Sequence, residues 1–241
     1  MDGKCYGLLG RKLGHSWSVP IHQALGCPDY RLIELEPDAL EAFLRRTDIG
    51  GLNVTIPYKR DVMPYCDEID AAARAIGSVN TIVRRPDGKL CAYNTDAAGF
   101  CYMARRAGIS FAGRKAVILG SGGASLTAQA CARQLGARQV VVISRSGPDN
   151  YETLSRHADA DIVVNTTPVG MERMPGCLIP DASWLHAGLT VSDVIYQPRE
   201  TQLLRMAREA GLKTFNGMYM LLHQGAASFR LWTGREMPIQ Q

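Results

Sequence analysis

One stretch restricts what this 241-residue chain can fold into more than any other: Lys115-Ala116-Val117-Ile118-Leu119-Gly120, followed at once by Ser121-Gly122-Gly123-Ala124-Ser125. A short continuous apolar run bounded by glycine reads as a parallel strand buried on both faces. The glycines permit a tight turn, and 123–135 reads as the helix that the turn opens. Strand, glycine-rich turn and helix start together make an anion cradle, because free backbone N–H groups and the positive end of the helix dipole converge there. Gly120, Ser121, Gly122, Gly123 and Ala124 are therefore expected to receive the pyrophosphate of a dinucleotide. The plainer alternative is a tight turn and nothing more.

The next strand, QVVVIS (139–144), bears on which dinucleotide. An unphosphorylated ribose is usually held by an acid at that strand's end. Here the strand runs into Ser144-Arg145-Ser146, with no acid at that point. A guanidinium beside two hydroxyls suits a ribose 2′-phosphate, which arginine can grip with two N–H groups, and so favours NADP. A solvated surface arginine is the competing explanation in a chain this rich in arginine.

Around this unit the pattern is α/β throughout. The first part alternates strands (4–9, 30–35, 50–56) with helices (18–26, 37–46, 59–65), then a strand pair 79–84 and 89–93 about the Asp87-Gly88 turn. From Thr95 the alternation restarts: helix 96–107, strand 115–120, helix 123–135, strand 139–144, helix 151–157 and strand 161–165. After an irregular stretch come strand 189–195, helix 200–210, strand 213–215 and helix 218–233. Two α/β domains are expected, the second a doubly wound Rossmann-like layer.

The first part carries its own polar constellation. Asn53-Val54-Thr55-Ile56-Pro57-Tyr58-Lys59 ends a strand, where side chains point into the crevice used by ligands. The chain has only six lysines, and Lys59 can serve as an acid–base group if a carboxylate fixes it. Asp96 in Asn94-Thr95-Asp96 could supply that carboxylate, or could merely sit in the first turn of a helix. Ser16 and Ser18 flank Trp17 ahead of a helix, where both can donate to a carboxylate or simply cap. Asn80 in Gly77-Ser78-Val79-Asn80-Thr81 could be an ordinary loop amide.

Other classes of function are disfavoured. The net charge of +4 is spread along the chain rather than clustered, which argues against nucleic acid. No apolar run approaches membrane-spanning length. Seven cysteines without a CxxC pair argue against zinc or a disulfide framework and fit a reducing cytoplasm, and five scattered histidines make no metal motif. No metal is expected.

Taken together, GHSWS, NVTIPYK, GSVNTI, NTDAAG, GSGGAS, SRS, NTTPVGM, DVIYQP and HQGAASFRLWTG occur in an order that resembles the shikimate dehydrogenase family from Tyr6 to Gly234. The resemblance implies NADP-dependent, reversible reduction of 3-dehydroshikimate to shikimate in aromatic amino-acid biosynthesis. It implies a substrate domain of residues 1–95 and 219–241 and an NADP domain of 96–218, with the active site in the cleft between them. Lys59 and Asp96 would be the catalytic pair. Ser16 and Ser18 would hold the substrate carboxylate, and Thr55, Asn80 and Gln224 the ring hydroxyls, with Tyr196 nearby. Arg145 between Ser144 and Ser146 would take the 2′-phosphate. Asn165 and Thr166 would lie beneath the cofactor, with Val194 and Gly217 on its nicotinamide side. The partners would be small molecules only, and the chain a monomer or homodimer.

Three other functions stay open: a quinate/shikimate dehydrogenase using NAD or NADP, a non-catalytic regulatory protein that retains the fold, and a structural Rossmann module within a larger complex. The sequence also departs from the family's usual pattern. Val19 stands between the second serine and Pro20, Ser144 replaces an asparagine, Gly147-Pro148-Asp149 offers no second cation, and Tyr219 replaces a glycine. A ring at 219 would crowd the cofactor unless the phenol points outward.

Overall fold

The computed structural model describes residues 3–14, 16–179 and 181–236, so His15 in the GHSWS string lies outside them. The chain divides into two compact units, 1–98 with 222–241, and 99–221. Both divisions fall inside helices.

The first unit is built on a six-stranded mixed sheet. Its strands are β1 (Cys5–Gly10), β2 (Arg31–Glu34), β3 (Ile49–Val54), β4 (Glu68–Ile69), β5 (Thr81–Arg84) and β6 (Leu90–Tyr93), in the order β2-β1-β3-β5-β6-β4. The β1–β2 and β1–β3 pairs are parallel, whereas β3–β5 and β5–β6 are antiparallel. The helices are α1 (Ser18–Ala24), α2 (Leu40–Leu44) and α3 (Ala71–Ile76), with the first turn of α4 (Thr95–Arg106) and most of α7 (Met218–Thr233). Leu9, Leu44, Ile49, Leu52 and Ile82 are fully buried at its centre. Gly50 and Gly51 let β3 lie against aromatic rings. A Cβ at Gly50 would collide with the Tyr6 ring, and one at Gly51 with the Trp232 ring.

The second unit has a five-stranded parallel sheet of β7 (Lys115–Leu119), β8 (Gln139–Ile143), β9 (Ile162–Asn165), β10 (Thr190–Asp193) and β11 (Lys213–Phe215), in the order β11-β10-β9-β7-β8. Strand β7 is buried throughout, as its apolar run suggests, and so is β9, whereas β8 at the sheet edge is only partly buried; α5 (Gly123–Gln134) follows the glycine turn. The order reverses between β7 and β9, the place where an open α/β sheet leaves a crevice at its carboxyl end. Helix α6 (Gln202–Glu209) completes the set.

Several local expectations are corrected. The helix expected at 59–65 is a run of turns ending in one 3₁₀ turn, Met63–Tyr65, because Pro64 cannot donate to a helical ladder. The helix expected at 151–157 is reduced to a 3₁₀ turn, Leu154–His157. The strand expected at 189–195 stops at Asp193, whose carboxylate accepts the Ile195 N–H at 2.9 Å and takes it out of the ladder. Strand β4 and helix α3 were not anticipated. Asp70 caps α3 by accepting from Ala72 and Ala73, and Gly77 ends it at φ 73°. Among the described residues no helix is long and apolar enough to cross a membrane.

Candidate active site

In the first unit, strand ends and helix starts bring the polar residues together. Beyond β3 the chain turns through a cis Ile56–Pro57 bond. The Lys59 carbonyl then accepts the Val79 N–H at 2.9 Å, which ties the turn to the segment holding Asn80. Lys59 Nζ donates to Asp96 Oδ2, with side chains only 15% and 8% exposed. In so dry a setting the pair is held much more firmly than a surface ion pair, provided its remaining valences are met.

Asn80 meets those of the carboxylate. Its Nδ2 donates to Asp96 Oδ1 at 2.8 Å, to Thr95 Oγ1 at 3.0 Å and to Gln224 Oε1 at 3.3 Å, while its Oδ1 accepts the Thr95 N–H at 2.6 Å. Asp96 is free for this duty because Asn94 takes over the capping, its Oδ1 accepting the Ala97 N–H at 3.1 Å. The first turn of α4 also favours the carboxylate electrostatically.

Beneath this couple runs a buried ladder that sequence reasoning missed. Tyr30 donates to Asn53 Oδ1 at 2.8 Å, and Asn53 Nδ2 donates to Ser228 Oγ at 2.7 Å. Ser228 joins Thr81 at 2.8 Å and Thr95 at 3.1 Å. Thr55 is half-buried just past β3, its N–H bonded to the Leu9 carbonyl at 2.8 Å. Ser16 Oγ accepts the Ser18 N–H at 3.2 Å at the entry to α1. Among the described residues neither serine hydroxyl donates a hydrogen bond, so both retain a proton to offer.

The second unit places the other predicted residues. Gly120 turns at φ 107°, where a side chain would be strained and its Cβ would meet Thr167 at 2.8 Å. Gly122 is the N-cap of α5, and a Cβ built on it would meet no atom within 4 Å. That open space before the first N–H groups of α5, with Ser121, Gly123 and Ala124 around it, fits a pyrophosphate. Thr166 follows β9 directly and donates to the Leu119 carbonyl at 2.6 Å, which joins the ends of β9 and β7 at the crevice. Arg145 and Ser146 are exposed past β8, and Ser144 is buried.

Three placements refine the expectations. Asn165 has no free hydrogen-bonding group. Its Nδ2 donates to Val169 O and the Asp193 carboxylate, and its Oδ1 accepts from Thr167 N–H and hydroxyl. It shapes the loop beneath the cradle. Gly217 is pressed on Val194, where a Cβ would collide with the Val194 carbonyl oxygen, so any side chain would push the two segments apart. Tyr219 takes the outward course. Its ring is 40% exposed and leans on α4, 6.2 Å from the Tyr102 ring and 5.6 Å beneath the Arg106 guanidinium. There it walls an open pocket of about 400 Å³ with Phe215 and Asn216. Tyr196 is half-buried in the turn after β10.

Asp193 was also overlooked. Fully buried, it accepts from Asn165, the Ile195 N–H and the Thr201 hydroxyl at 2.8 Å, and burial pushes its carboxyl up to about 6. Among the described residues no group of three metal-binding side chains occurs.

A doubly wound nucleotide cradle in one unit and a sequestered lysine–carboxylate couple in the other define a two-unit dinucleotide-dependent dehydrogenase. Residues 8–82 match the shikimate dehydrogenase substrate binding domain, and 217–241 match the shikimate 5′-dehydrogenase C-terminal domain. The shikimate dehydrogenase (NADP(+)) of Symbiobacterium thermophilum is 37% identical over an alignment of 269 positions that covers 98% of this chain and 91% of that protein. The crystal structure of shikimate dehydrogenase 1 from Peptoclostridium difficile superposes with a TM-score of 0.88 at 35% identity, covering 98% of this chain and 94% of that one. The shikimate 5-dehydrogenase of Thermus thermophilus, solved with NADP(H) and shikimate, matches with a TM-score of 0.82 at 31% identity over 96% and 94% of the two chains. The chain belongs to the shikimate dehydrogenase family.

Proposed function

We propose that this protein catalyses the reversible, NADP-dependent reduction of 3-dehydroshikimate to shikimate, the first unit (1–98 with 222–241) taking the substrate and the second (99–221) the cofactor. The observation that carries this is the Lys59–Asp96 couple, with Asn80 fixing its carboxylate and Gln224 beside it.

NADPH, when bound, supplies the hydride that the ring carbonyl carbon accepts. Lys59 Nζ gives the carbonyl oxygen its proton as negative charge gathers there, and its ammonium stabilises that charge before transfer. Asp96 keeps Nζ in place, and in the reverse direction Lys59 receives the proton from the alcohol. Ser16 and Ser18 donate to the substrate carboxylate. Thr55, Asn80 and Gln224 meet the ring hydroxyls. The Asn80–Gln224 contact, at 3.3 Å the longest of the three that share the two hydrogens of Asn80 Nδ2, is the one a ring hydroxyl replaces. Tyr196 contributes from the turn after β10. Residues 120–124 hold the pyrophosphate and Arg145 the 2′-phosphate. Seven free cysteines accord with work in a reducing cytoplasm.

The test is turnover of shikimate and quinate, each with NADP⁺ and NAD⁺, by wild type and Lys59→Ala. Shikimate with NADP⁺ should be the preferred combination, and the variant should lose roughly 10²–10⁴ in kcat, the usual scale for an acid–base group. Preference for quinate, or an undiminished variant, would refute the assignment.

A further inference from the structure

We propose that His157 is a positioning residue for cofactor selectivity: it holds the Asp149 carboxylate off Arg145 and so keeps that guanidinium available to a phosphate on the ribose 2′ position. The proposal rests on the cofactor assignment above, which places the adenosine ribose at the end of β8.

The turn beyond β8 closes on itself, with the Ser144 N–H donating to the Asp149 carbonyl at 3.2 Å. Gly147 lies inside it, where a Cβ would come within 2.8 Å of Ser144 Oγ and 3.1 Å of the Asp149 carbonyl oxygen. A cation and an anion thus stand four residues apart on one tight turn. Left to themselves, Arg145 and Asp149 would pair, and an arginine paired with a carboxylate has its fork of donors occupied. They do not pair. Among the described residues Arg145 has neither an ion pair nor a hydrogen bond, and it is exposed.

Asp149 instead faces His157 Nε2 at 2.9 Å. A carboxylate only accepts, so Nε2 carries the hydrogen. Among the described residues buried Nδ1 has no partner, so the Nε2–Asp149 bond is the ring's one hydrogen bond there. That bond restrains the Asp149 side chain. Its own position is built: Asn150 Oδ1 accepts from the Glu152 and Thr153 N–H groups at 2.9 and 3.1 Å, and buried Leu154 anchors the 3₁₀ turn that ends at His157. The His157 side chain is 12% exposed against 35% for Asp149, so the histidine is the fixed member.

Two effects follow. A free Asp149 would compete with the phosphate for Arg145, and even a restrained one repels it. Each is worth about a three- to five-fold change in affinity, the scale of an exposed charge pair. NAD⁺, which lacks the 2′-phosphate, should feel neither.

Isothermal titration of NADP⁺ and NAD⁺ into wild type and variants reads this without turnover. His157→Phe should weaken NADP⁺ about three- to five-fold and leave NAD⁺ within two-fold, and His157→Gln, which keeps a donor, should recover most of the loss. Asp149→Asn should tighten NADP⁺ by a similar factor in the wild-type background and by more in the His157→Phe background, where it removes the competition as well as the repulsion. Equal weakening of both cofactors by His157→Phe, with no recovery in the double variant, would make His157 a mere support and overturn the proposal. Should His157→Phe not fold, Asp149→Asn alone decides, since unchanged NADP⁺ affinity there refutes it. Arg145→Ala is the control on the premise. If it weakens both cofactors equally, the 2′-phosphate assignment itself fails, and the role of His157 falls with it.

Discussion

His22 should make the first unit acid-sensitive, and replacing it should remove that sensitivity. Its ring is fully buried on α1, stacked on Tyr30 with centroids 4.2 Å apart and tilted 5.1 Å from Trp232. Among the described residues neither ring nitrogen has a hydrogen-bond partner. Burial penalises the imidazolium far more than the neighbouring Asn53 amide favours it, and lowers the ring's pKa from 6.5 to about 4. The unfolded chain therefore binds a proton that the folded one refuses. The stability is complete above pH 6.5 and is lost as pH falls through 4. The whole displacement corresponds to roughly 3.4 kcal/mol, of which about 2 kcal/mol is already gone at pH 5. Asp193 works in the opposite sense: its carboxyl, raised to about 6, favours the folded state at low pH and ceases to do so as pH rises through 6. The wild-type profile mixes both, so the measure is the difference between wild type and His22→Phe. Urea unfolding followed by tryptophan fluorescence at pH 7.5, 6, 5 and 4.5 should show the variant gaining about 2 kcal/mol on wild type between pH 7.5 and 5. His22→Leu serves if the larger ring does not fit. Parallel profiles would refute the reasoning.

Ser16→Ala and Ser18→Ala should each raise KM for shikimate more than they lower kcat, because a carboxylate contact is alike in ground and transition states; steady-state kinetics checks this, and an unchanged KM would remove the serines from the substrate site. Thr201→Val removes both the N-cap of α6 and a donor to buried Asp193, and should cost about 1–3 kcal/mol in denaturant unfolding. Tyr219→Gly should leave the NADP⁺ KM within about two-fold while lowering stability by about 1 kcal/mol, since the ring leans on α4 and glycine is a poor helix former. A fall in that KM would show that the ring crowds the cofactor after all.

What the sequence disclosed was what sits close together in it. The apolar run 115–120 and the glycines behind it specify strand, turn and helix within a dozen residues, and local chemistry suffices. Lys59 and Asp96 were visible as a scarce lysine at a strand end and an acid at a helix start. Which of Asn94, Thr95 and Asp96 would cap α4 was not visible, because all three suit the position. Asn80, from another strand, draws Asp96 aside and leaves the cap to Asn94. The ladder from Tyr30 through Asn53 to Ser228 was hidden for a stronger reason, since the two ends of its Asn53–Ser228 bond lie 175 residues apart. Asp193 passed for an ordinary polar strand end, and only tertiary structure shows Asn165, Ile195 and Thr201 converging on it.

That long bond sets an order of events on the ribosome. The second unit is one continuous span, 99–221, and can complete its sheet as soon as it has emerged. The first unit, although made first, cannot finish. Asn53 and Thr81 wait for Ser228, and the groove over Gly51 waits for Trp232, whose indole N–H closes on the Ile82 carbonyl at 3.0 Å. Until those last residues arrive, Asn53 and Thr81 are each one partner short and an aromatic slot stands open to other chains. A message that stops short of codon 228 should therefore yield a folded cofactor unit tethered to an aggregation-prone, half-assembled sheet.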